Sequence, residues 1–335
     1  MKYVILKTAK SAQCYRKIEI FFVKNERVET LKKIVFTFSV CVWVKMISFA
    51  AIFKIGKMKV IKTKSELADC LQQFRNQQKT IGFVPTMGAL HEGHLSLVAK
   101  STQSCDVTVV SVFVNPTQFN DKNDLANYPR CVEKDCALLE NAGCDVVFTP
   151  EVEEMYPEPD TRQFSFGNLD KVMEGEHRPG HFNGVAQIVS KLFDAVKPDK
   201  AFFGLKDFQQ VAIIKAMVKQ LNMKLEIVPC PIVREADGLA KSSRNMLLEP
   251  QYRAIAPKIH QTLVEAAKKR DCTHEQLCQW ITSTIDATQL LKTEYVQIVN
   301  FDTLMPVKKL TAAEKPIICI AVWAGKIRLI DNLEL

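Results

Sequence analysis

From residue 58 onward, short apolar runs rich in β-forming residues alternate with amphipathic stretches of helical period, and this alternation constrains the fold most. The run at residues 107–114, Val-Thr-Val-Val-Ser-Val-Phe-Val, is almost continuously apolar. Such a run is typical of a strand that is covered on both faces. Strands that alternate with helices form β-α-β units and a mostly parallel sheet. The predicted fold class is therefore α/β, with a Rossmann-like doubly wound parallel sheet.

The predicted elements follow one another in a regular order. Strands are predicted at residues 58–61, 80–85, 107–114, 146–149, 200–203 and 225–228. Helices are predicted at residues 65–77, 93–101, 124–143, 184–196 and 206–221. After Arg234 the pattern changes to helices at 252–269 and 274–287 and strands at 296–300, 317–322 and 327–329, which indicates a smaller α+β unit. We expect an N-terminal extension at 1–57, a Rossmann-like nucleotide-binding domain at 58–233 and a C-terminal α+β domain at 234–335.

The first 57 residues differ in charge from the rest of the chain. Residues 1–57 carry a formal charge of +9, whereas the whole chain carries +8, so residues 58–335 carry −1. This near-neutral remainder argues against nucleic acid as a partner. An apolar run at residues 34–53 is long enough to span a bilayer. It is interpreted either as a membrane anchor or as sequence upstream of a true start at Met58, and we favour the second interpretation.

The eleven cysteines show no paired C-x-x-C spacing. An odd number of unpaired cysteines in apolar settings is typical of free thiols that pack as small hydrophobic groups. A reducing compartment fits this usage best. We therefore expect a cytoplasmic protein, with no membrane partner for residues 58–335.

Two histidines, His91 and His94, stand just beyond the second predicted strand. In an open parallel sheet, ligands bind at the carboxyl ends of strands, and a helix N-terminus there attracts phosphate. A Walker A loop is excluded because Lys and Ser/Thr do not follow Gly93, and no Gly-x-Gly-x-x-Gly occurs. An imidazole that is cationic or donates a hydrogen bond can stabilise charge on a reacting phosphate. The alternative is a pair of surface or capping histidines; a zinc site is disfavoured by the spacing.

Residues 86–94, Thr-Met-Gly-Ala-Leu-His-Glu-Gly-His, closely resemble a motif of the pantothenate synthetase (pantoate–β-alanine ligase) family, within the His-x-Gly-His nucleotidylyltransferase superfamily. Five further family motifs follow in order, at residues 113–119, 128–130, 178–185, 203–210 and 233–245. The resemblance covers residues 58–335. It implies an ATP-dependent condensation of pantoate with β-alanine through pantoyl adenylate, with release of AMP and pyrophosphate. It also implies Mg²⁺ as cofactor and a homodimer.

The resemblance also implies roles for single residues. The implied catalytic residues are His94, His91, Lys206 and Arg244. ATP binding is implied for Met87, Gly88, Ala89, Leu90, His91, Glu92, Gly93, His94, Gly204, Leu205, Lys206, Asp207, Val233, Lys241, Ser242, Ser243 and Arg244. Contacts with pantoate or β-alanine are implied for Gln118, Gln210, Pro85 and Met87.

Three expectations concern the edges of the site. Asp135 is a candidate ligand for Mg²⁺, with Glu133 beside it. Residues 120–130 are expected to form a mobile wall that keeps water from the adenylate. Leu205 and Lys241 depart from the family pattern, which usually has Glu or Gln and Met at these places; Lys241 would add a cation near the triphosphate.

Two other functions compete with the ligase. One is a superfamily member that transfers a nucleotidyl group to a phosphorylated alcohol and stops there, which would need no amine. The other is a membrane-tethered nucleotide-binding protein that uses residues 34–53 as its anchor. A requirement for β-alanine in AMP release separates the ligase from the first, and the mature N-terminus separates it from the second.

Overall fold

The computed structural model describes residues 58–119, 122–269, 271–307 and 309–335. The N-terminal extension, including the apolar run at residues 34–53, lies outside the described residues, and both of its interpretations stay predictions. Within the described ranges, none of the helices has the length and apolar character that a bilayer crossing requires.

Six parallel strands form the first sheet: β1 (Lys59–Ile61), β2 (Ile81–Thr86), β3 (Val107–Val112), β4 (Val146–Phe148), β5 (Lys200–Gly204) and β6 (Glu226–Cys230). Their spatial order is β1-β4-β3-β2-β5-β6. After β2 the chain places β3 and β4 on one side of it, and then places β5 and β6 on the other side. The strand order thus reverses between β2 and β5, and a crevice opens at the carboxyl ends of strands at such a switch point.

The segments between these strands form α1 (Lys64–Asn76), α2 (Glu92–Ser104), α3 (Lys122–Asn127), α4 (Val132–Asn141), α5 (Val152–Met155), α6 (Glu174–His177), α7 (His181–Val196) and α8 (Phe208–Gln220). Among them, α1, α2, α4, α7 and α8 cover the two faces of the sheet. Successive strand residues point to opposite faces. Phe83 is buried with residues of α1, α7 and α8, whereas Val84 is buried with residues of α2 and α4. The predicted doubly wound parallel sheet is confirmed, and burial on both faces explains its continuous apolar strands.

The C-terminal part contains α9 (Pro250–Ile255), α10 (Lys258–Ala266), α11 (His274–Asp286) and an antiparallel sheet of β7 (Leu291–Asn300), β8 (Pro316–Ala324) and β9 (Ile327–Glu334). One face of this sheet, with Ile318 and Ile320, packs on α10 and α11. The opposite face, with Ile317 and Cys319, packs on Met173 and Phe208. The second contact brings the sheet against the segment that follows β5. The domain boundary near residue 233 stays a prediction.

Two predicted helices are each divided at a proline. Residues 124–143 form the end of α3 and all of α4, with Pro129 between them, and residues 252–269 form parts of α9 and α10, with Pro257 between them. Proline lacks an N–H donor and disfavours helical conformation in the residue before it. Strand β7 begins five residues earlier than predicted, because a bulge between Thr293 and Tyr295 interrupts the alternating pattern there.

Helix α7 approaches the turn that follows β3 most closely at Gly184. A Cβ built at Gly184 would lie 2.5 Å from the carbonyl oxygen of Thr117 and 2.9 Å from the Cα of Gln118. Both are backbone atoms, which cannot rotate aside. The absence of a side chain at Gly184 therefore sets how closely α7 and this turn can pack.

We expect Gly184→Ala to lower the free energy of unfolding, measured by urea denaturation. Alanine gains about 1 kcal/mol over glycine in a helix interior, but overpacking costs ~1–3 kcal/mol, and here the added methyl meets fixed backbone atoms. Gly204→Ala is the matched control, because a Cβ there would meet no atom within 4 Å and its φ of −75° is ordinary. Equal stability in the two variants would contradict the prediction.

Candidate active site

A cleft opens at the switch point, over the carboxyl ends of β2, β3, β5 and β6. Its cavity volume is about 210 Å³, below the ~300–1,000 Å³ of typical small-molecule sites. Its polar lining comes from the segments that follow these strands: His91 and His94, Asn115 and Gln118, Lys206, Asp207 and Gln210, and Lys241.

His91 and His94 cap the first turn of α2. The Nδ1 of His91 accepts a hydrogen bond from the backbone N–H of Gly93 at 3.1 Å, and the Nδ1 of His94 accepts from the backbone N–H of His91 at 3.3 Å. The two ring centroids lie 4.1 Å apart. A Cβ at Gly93 would lie 2.8 Å from Cε1 of His91. Glycine at this position therefore lets the imidazole lie over the helix N-terminus, in the arrangement of a capping box.

These capping bonds determine which nitrogen of each ring carries the proton. An Nδ1 that accepts a hydrogen bond is unprotonated, so the neutral rings carry their proton on Nε2. Burial, reinforced by the charge of Lys206, lowers the pKa of His91 to about 4. Burial, reinforced by His91, lowers the pKa of His94 to about 3. Of the two forms predicted from the sequence, the structure therefore favours the neutral imidazole that donates a hydrogen bond.

Asp135 braces the loop between β2 and α2. This buried side chain belongs to the first turn of α4; its Oδ2 accepts from the N–H of Ala89 at 3.0 Å and its Oδ1 from the N–H of Leu90 at 2.8 Å. Burial raises the pKa of Asp135, while the two hydrogen bonds oppose the rise. Because both carboxylate oxygens are engaged with the backbone, the geometry favours a bracing role over the predicted contact with Mg²⁺. In the described ranges, no three His, Cys, Asp or Glu side chains form a cluster that could hold a metal ion.

Gln118 is oriented by the residues around it. Its Nε2 donates to the Sδ of Met87 at 2.9 Å, and its Oε1 accepts from the Nδ2 of Asn115 at 3.1 Å. Asn115 is itself buried, and its Oδ1 accepts from the hydroxyl of Tyr156 at 2.8 Å. The Nδ1 of His181 bonds to the backbone carbonyl of Gln118 at 2.9 Å. Hydrogen bonds to the side-chain amide and to the backbone carbonyl of Gln118 thus hold this residue at the cleft wall.

Lys206 lies on a 3₁₀ turn, Leu205–Asp207, directly after β5. Its Nζ is 3.5 Å from Oδ2 of Asp207. The side chain of Leu205 packs with the apolar residues between the two sheets, so the family's polar residue is replaced here by a packing contact. One turn later Gln210 lines the cleft, whereas Gln209 is buried and donates to the backbone carbonyls of residues 169 and 172.

The segment after β6 forms the opposite wall of the cleft. Val233 lines it, and the carbonyl of Val233 accepts from the backbone N–H of Lys241 at 2.9 Å. The Nζ of Lys241 lies 2.7 Å from Oε2 of Glu235 and 3.0 Å from Oε2 of Glu92. These carboxylates, Glu235 first, raise the pKa of Lys241. The expected extra cation is therefore present in the lining, but two carboxylates already neutralise it.

The structure gathers most of the predicted residues around the cleft and leaves others outside its lining. Pro85, Met87, His91, Gly93, His94, Gln118, Gly204, Lys206, Asp207, Gln210, Val233 and Lys241 line it. The lining does not include Gly88, Ala89, Leu90, Glu92, Leu205, Ser242, Ser243 and Arg244. Among these, Leu90 is a core residue, and the guanidinium of Arg244 lies over the ring of Tyr128, which does line the cleft.

Comparison with known proteins identifies the family of this chain. Residues 59–334 match the family described as Pantoate-beta-alanine ligase. The chain is 51% identical over 278 residues to pantothenate synthetase of Porphyromonas gingivalis, covering 83% of this chain and 99% of that protein. It is 55% identical over 279 residues to pantothenate synthetase of Bacteroides fragilis, again covering 83% and 99%.

Two solved structures are also similar. Pantothenate synthetase from Thermus thermophilus superposes with a TM-score of 0.77 at 41% identity, covering 83% of this chain and 99% of that one. Pantoate-beta-alanine ligase from Francisella tularensis, complexed with β,γ-ATP and β-alanine, has a TM-score of 0.69 at 36% identity, covering 83% and 97%.

The chain belongs to the pantoate–β-alanine ligase family. It uses ATP and condenses pantoate with β-alanine, as the six motifs predicted.

Several residues that shape this ligase site were not predicted from the sequence. Asn115, Tyr156 and His181 hold Gln118, and Asn332 holds the turn that carries Lys206. Asn115 and His181 lie within quoted motifs, so their place in a motif was a usable signal. Tyr156 and Asn332 lie outside every motif, and nothing local to them indicates a link with the site.

We expect Asp135→Asn to lower both activity and the free energy of unfolding, because an amide side chain cannot accept from Ala89 and Leu90 with both of its polar atoms. An unsatisfied buried N–H costs ~1–3 kcal/mol. Steady-state assays and urea denaturation measure the two effects. Glu133→Gln is the control, since Glu133 lies exposed on the same turn. Restoration of Asp135→Asn activity by added Mg²⁺, with unchanged unfolding, would instead support the metal role.

We expect the ¹⁵N chemical shifts of His91 and His94 to show no inflection between about pH 5 and pH 8 in the folded enzyme, with Nδ1 as the unprotonated nitrogen. Each pKa lies below the ordinary 6.5, so the unfolded chain takes up protons that the folded chain does not. The contribution of the two neutral histidines to the free energy of unfolding is therefore fully present above pH 6.5, and it falls as the pH drops toward 4. The urea-unfolded protein is the control and should titrate near 6.5. An inflection near 6.5 in the folded enzyme would contradict the assigned ring state.

Proposed function

We propose that the cleft performs the condensation in two steps. First, a carboxylate oxygen of pantoate attacks the α-phosphorus of ATP, and pyrophosphate leaves with the electron pair of the broken P–O bond. Next, the amine of β-alanine attacks the acyl carbon of pantoyl adenylate; AMP leaves with the electrons of the C–O bond, and the amine loses a proton to form the amide. The observation that supports this proposal best is the pair of neutral imidazoles on the N-terminus of α2, facing Lys206 across one cleft.

His94 and His91 stabilise the adenylation transition state in this proposal. Their Nε2–H groups donate to phosphate oxygens as negative charge moves from the attacking carboxylate to pyrophosphate, while their Nδ1 atoms stay bound to the backbone. Lys206 adds a positive charge from the turn that follows β5. Arg244, on the 3₁₀ turn Ser243–Leu247, and the hydroxyls of Ser242 and Ser243 complete the phosphate contacts once the nucleotide is bound. Positioning and charge stabilisation then account for catalysis, and no covalent enzyme intermediate is needed.

Pantoate is assigned to the wall formed by Gln118 and Gln210. Neutral amides offer donors to its carboxylate and both donors and acceptors to its hydroxyls, without the repulsion that a carboxylate side chain would bring. The adjoining lining is apolar, with Val185, Ile188 and Val189 from α7, which suits the two methyl groups of pantoate. The held amide of Gln118 fixes the carboxylate in line with the α-phosphate, and such fixed orientation lowers the barrier of an otherwise bimolecular step.

The nucleoside is assigned to the space between Gly204 and Val233. Gly204 leaves room for the nucleoside to approach the backbone, since a Cβ there would meet no protein atom within 4 Å. The Asp207 carboxylate can accept from ribose hydroxyls, and the apolar side chain of Val233 can cover the adenine ring. Residues 120 and 121 of the predicted wall over the site lie outside the described residues. Tyr128 of that wall lines the cleft, and the mobility of the wall stays a prediction.

Mg²⁺ fits this site as a companion of the nucleotide. Mg²⁺ in nucleotide sites is typically held by substrate phosphates and water with one or two carboxylates. Asp207 is the one carboxylate in the described lining of the cleft and is assigned to the ribose, so the ATP phosphates and water would hold the ion, which would supply positive charge to the phosphates. A homodimer and a cytoplasmic location complete the proposal, and analytical ultracentrifugation tests the dimer.

A reaction assay with each substrate omitted in turn tests the proposal. We expect pyrophosphate release to require ATP and pantoate, and AMP release to require β-alanine as well. Release of pyrophosphate that never leads to β-alanine-dependent AMP would instead favour a nucleotidyl transferase of the same superfamily.

His94→Ala should slow pyrophosphate release by about 10²–10³-fold, the effect of losing one preorganised donor, with unchanged far-UV circular dichroism. His274→Ala, a change at the surface end of α11, is the matched control and should keep the wild-type rate; normal pyrophosphate release by His94→Ala would overturn its role.

A further inference from the structure

Two adjacent polar side chains on β9, Asp331 and Asn332, are buried although they lie at the edge of the antiparallel sheet. Asp331 is 4% exposed and Asn332 is 6% exposed. Buried polar groups are costly unless they are hydrogen-bonded, so their partners indicate what they do. Those partners belong to the turn that carries Lys206 and to Arg234, which adjoins Val233; Lys206 and Val233 both line the cleft.

Asn332 holds the turn that carries Lys206. Its Nδ2 donates to the backbone carbonyl of Leu205 at 2.8 Å and to that of Lys206 at 3.1 Å. The two N–H groups of the side-chain amide therefore bind two successive carbonyls of one 3₁₀ turn, one each. An aspartate here would point carboxylate oxygens at these carbonyls, and an aliphatic side chain would leave them unpaired. Only an amide matches this pair of acceptors at this length.

Asp331 holds the opposite wall. Its carboxylate accepts a bidentate pair from Arg234, Nη1 to Oδ2 at 2.7 Å and Nη2 to Oδ1 at 2.9 Å. Arg234 directly follows Val233 in sequence, and Val233 lines the cleft. Oδ1 of Asp331 also accepts the backbone N–H of Asn332 at 2.8 Å, and the carbonyl of Asn332 receives Nη2 of Arg234 at 3.4 Å. Asn332 is thus fixed by the same ion pair that holds the Val233 segment.

We propose that Asn332 is a positioning residue for adenylation, which acts by fixing the backbone of the Lys206 turn relative to the Val233 wall. This inference rests on the proposed role of Lys206 at the phosphates. A lysine side chain has several rotatable bonds, so the place of its Cα decides the region its ammonium can reach. A shift of about 1 Å in a group that binds the transition state can cost ~10²-fold in rate. The bond geometry gives the C-terminal sheet a part in the chemistry without any contact with substrate.

The test measures the burst of pyrophosphate release after ATP and pantoate are mixed with the enzyme. We expect Asn332→Ala to slow this step roughly 10–100-fold, while KM for β-alanine stays unchanged, because the Lys206 turn serves the first step. Asn332→Leu keeps the branched shape of the side chain and removes both donors without burying a charge, so it should show the same slow step even if the alanine variant folds poorly. Asn300→Ala is the matched control: the Nδ2 of Asn300 also donates to a backbone carbonyl, that of Glu314 at 2.7 Å, so this variant should lose stability but keep the burst rate.

A double-mutant cycle with Lys206→Ala decides whether Asn332 acts through Lys206. If it does, Asn332→Ala causes little further loss in the Lys206→Ala background, since the two changes remove one interaction. Independent, multiplying losses would overturn the proposal, and so would a normal burst rate in Asn332→Leu. A normal burst rate in Lys206→Ala alone would instead refute the role proposed for Lys206. The failure of the positioning inference is therefore distinguishable from the failure of the proposed function.

Discussion

The parallel pairing of β2 with β3 on one side and β5 on the other is the constraint on which the site depends. Parallel strands end at the same edge, so the segments after β2, β3, β5 and β6 open into one crevice, although these strands end as far apart in the chain as Thr86 and Cys230. Each segment then contributes one kind of group: imidazoles, amides, a lysine turn and an apolar wall. The chemistry of the cleft therefore depends on strand order before it depends on any single side chain.

The two histidines illustrate how a structural and a chemical role coincide. A capping pair and a catalytic pair were competing interpretations of the sequence, but the capping bonds use only Nδ1. The bonds orient both rings and leave Nε2–H as the donor. Burial at a helix N-terminus disfavours the imidazolium form, because the helix dipole and desolvation both oppose a positive charge there. A neutral donor loses no proton to the phosphate it binds, so its hydrogen bond can strengthen as charge develops on that phosphate.

The secondary-structure elements could be predicted from the sequence more fully than the contacts that shape the site. Sequence periodicity is a local property, so strands such as residues 107–112 and the loop with His91 and His94 were predictable, as were residues that lie in family motifs. The bonds that join Asp135 to Ala89 and Leu90 connect positions 46 and 45 residues apart, and the bond from Asn332 to Leu205 spans 127 residues. No local pattern encodes such pairs, because they arise only when packing brings distant elements together. For the same reason Asp135 suggested a metal ligand from its charge alone, whereas its buried partners are backbone N–H groups.

The charges of the cleft follow a related logic. The chain from residue 58 onward is almost neutral, so long-range steering of ATP by net charge is weak, and attraction must come from cations inside the cleft. Those cations are paired beforehand: Lys206 with Asp207, and Lys241 with Glu92 and Glu235. Such pairs hold flexible ammonium groups in place, which reduces the conformational entropy lost when a ligand binds. A triphosphate carries more charge than one carboxylate and can draw these ammonium groups toward itself. Because Glu92 is largely exposed, its carboxylate can return to water at little cost when that exchange occurs.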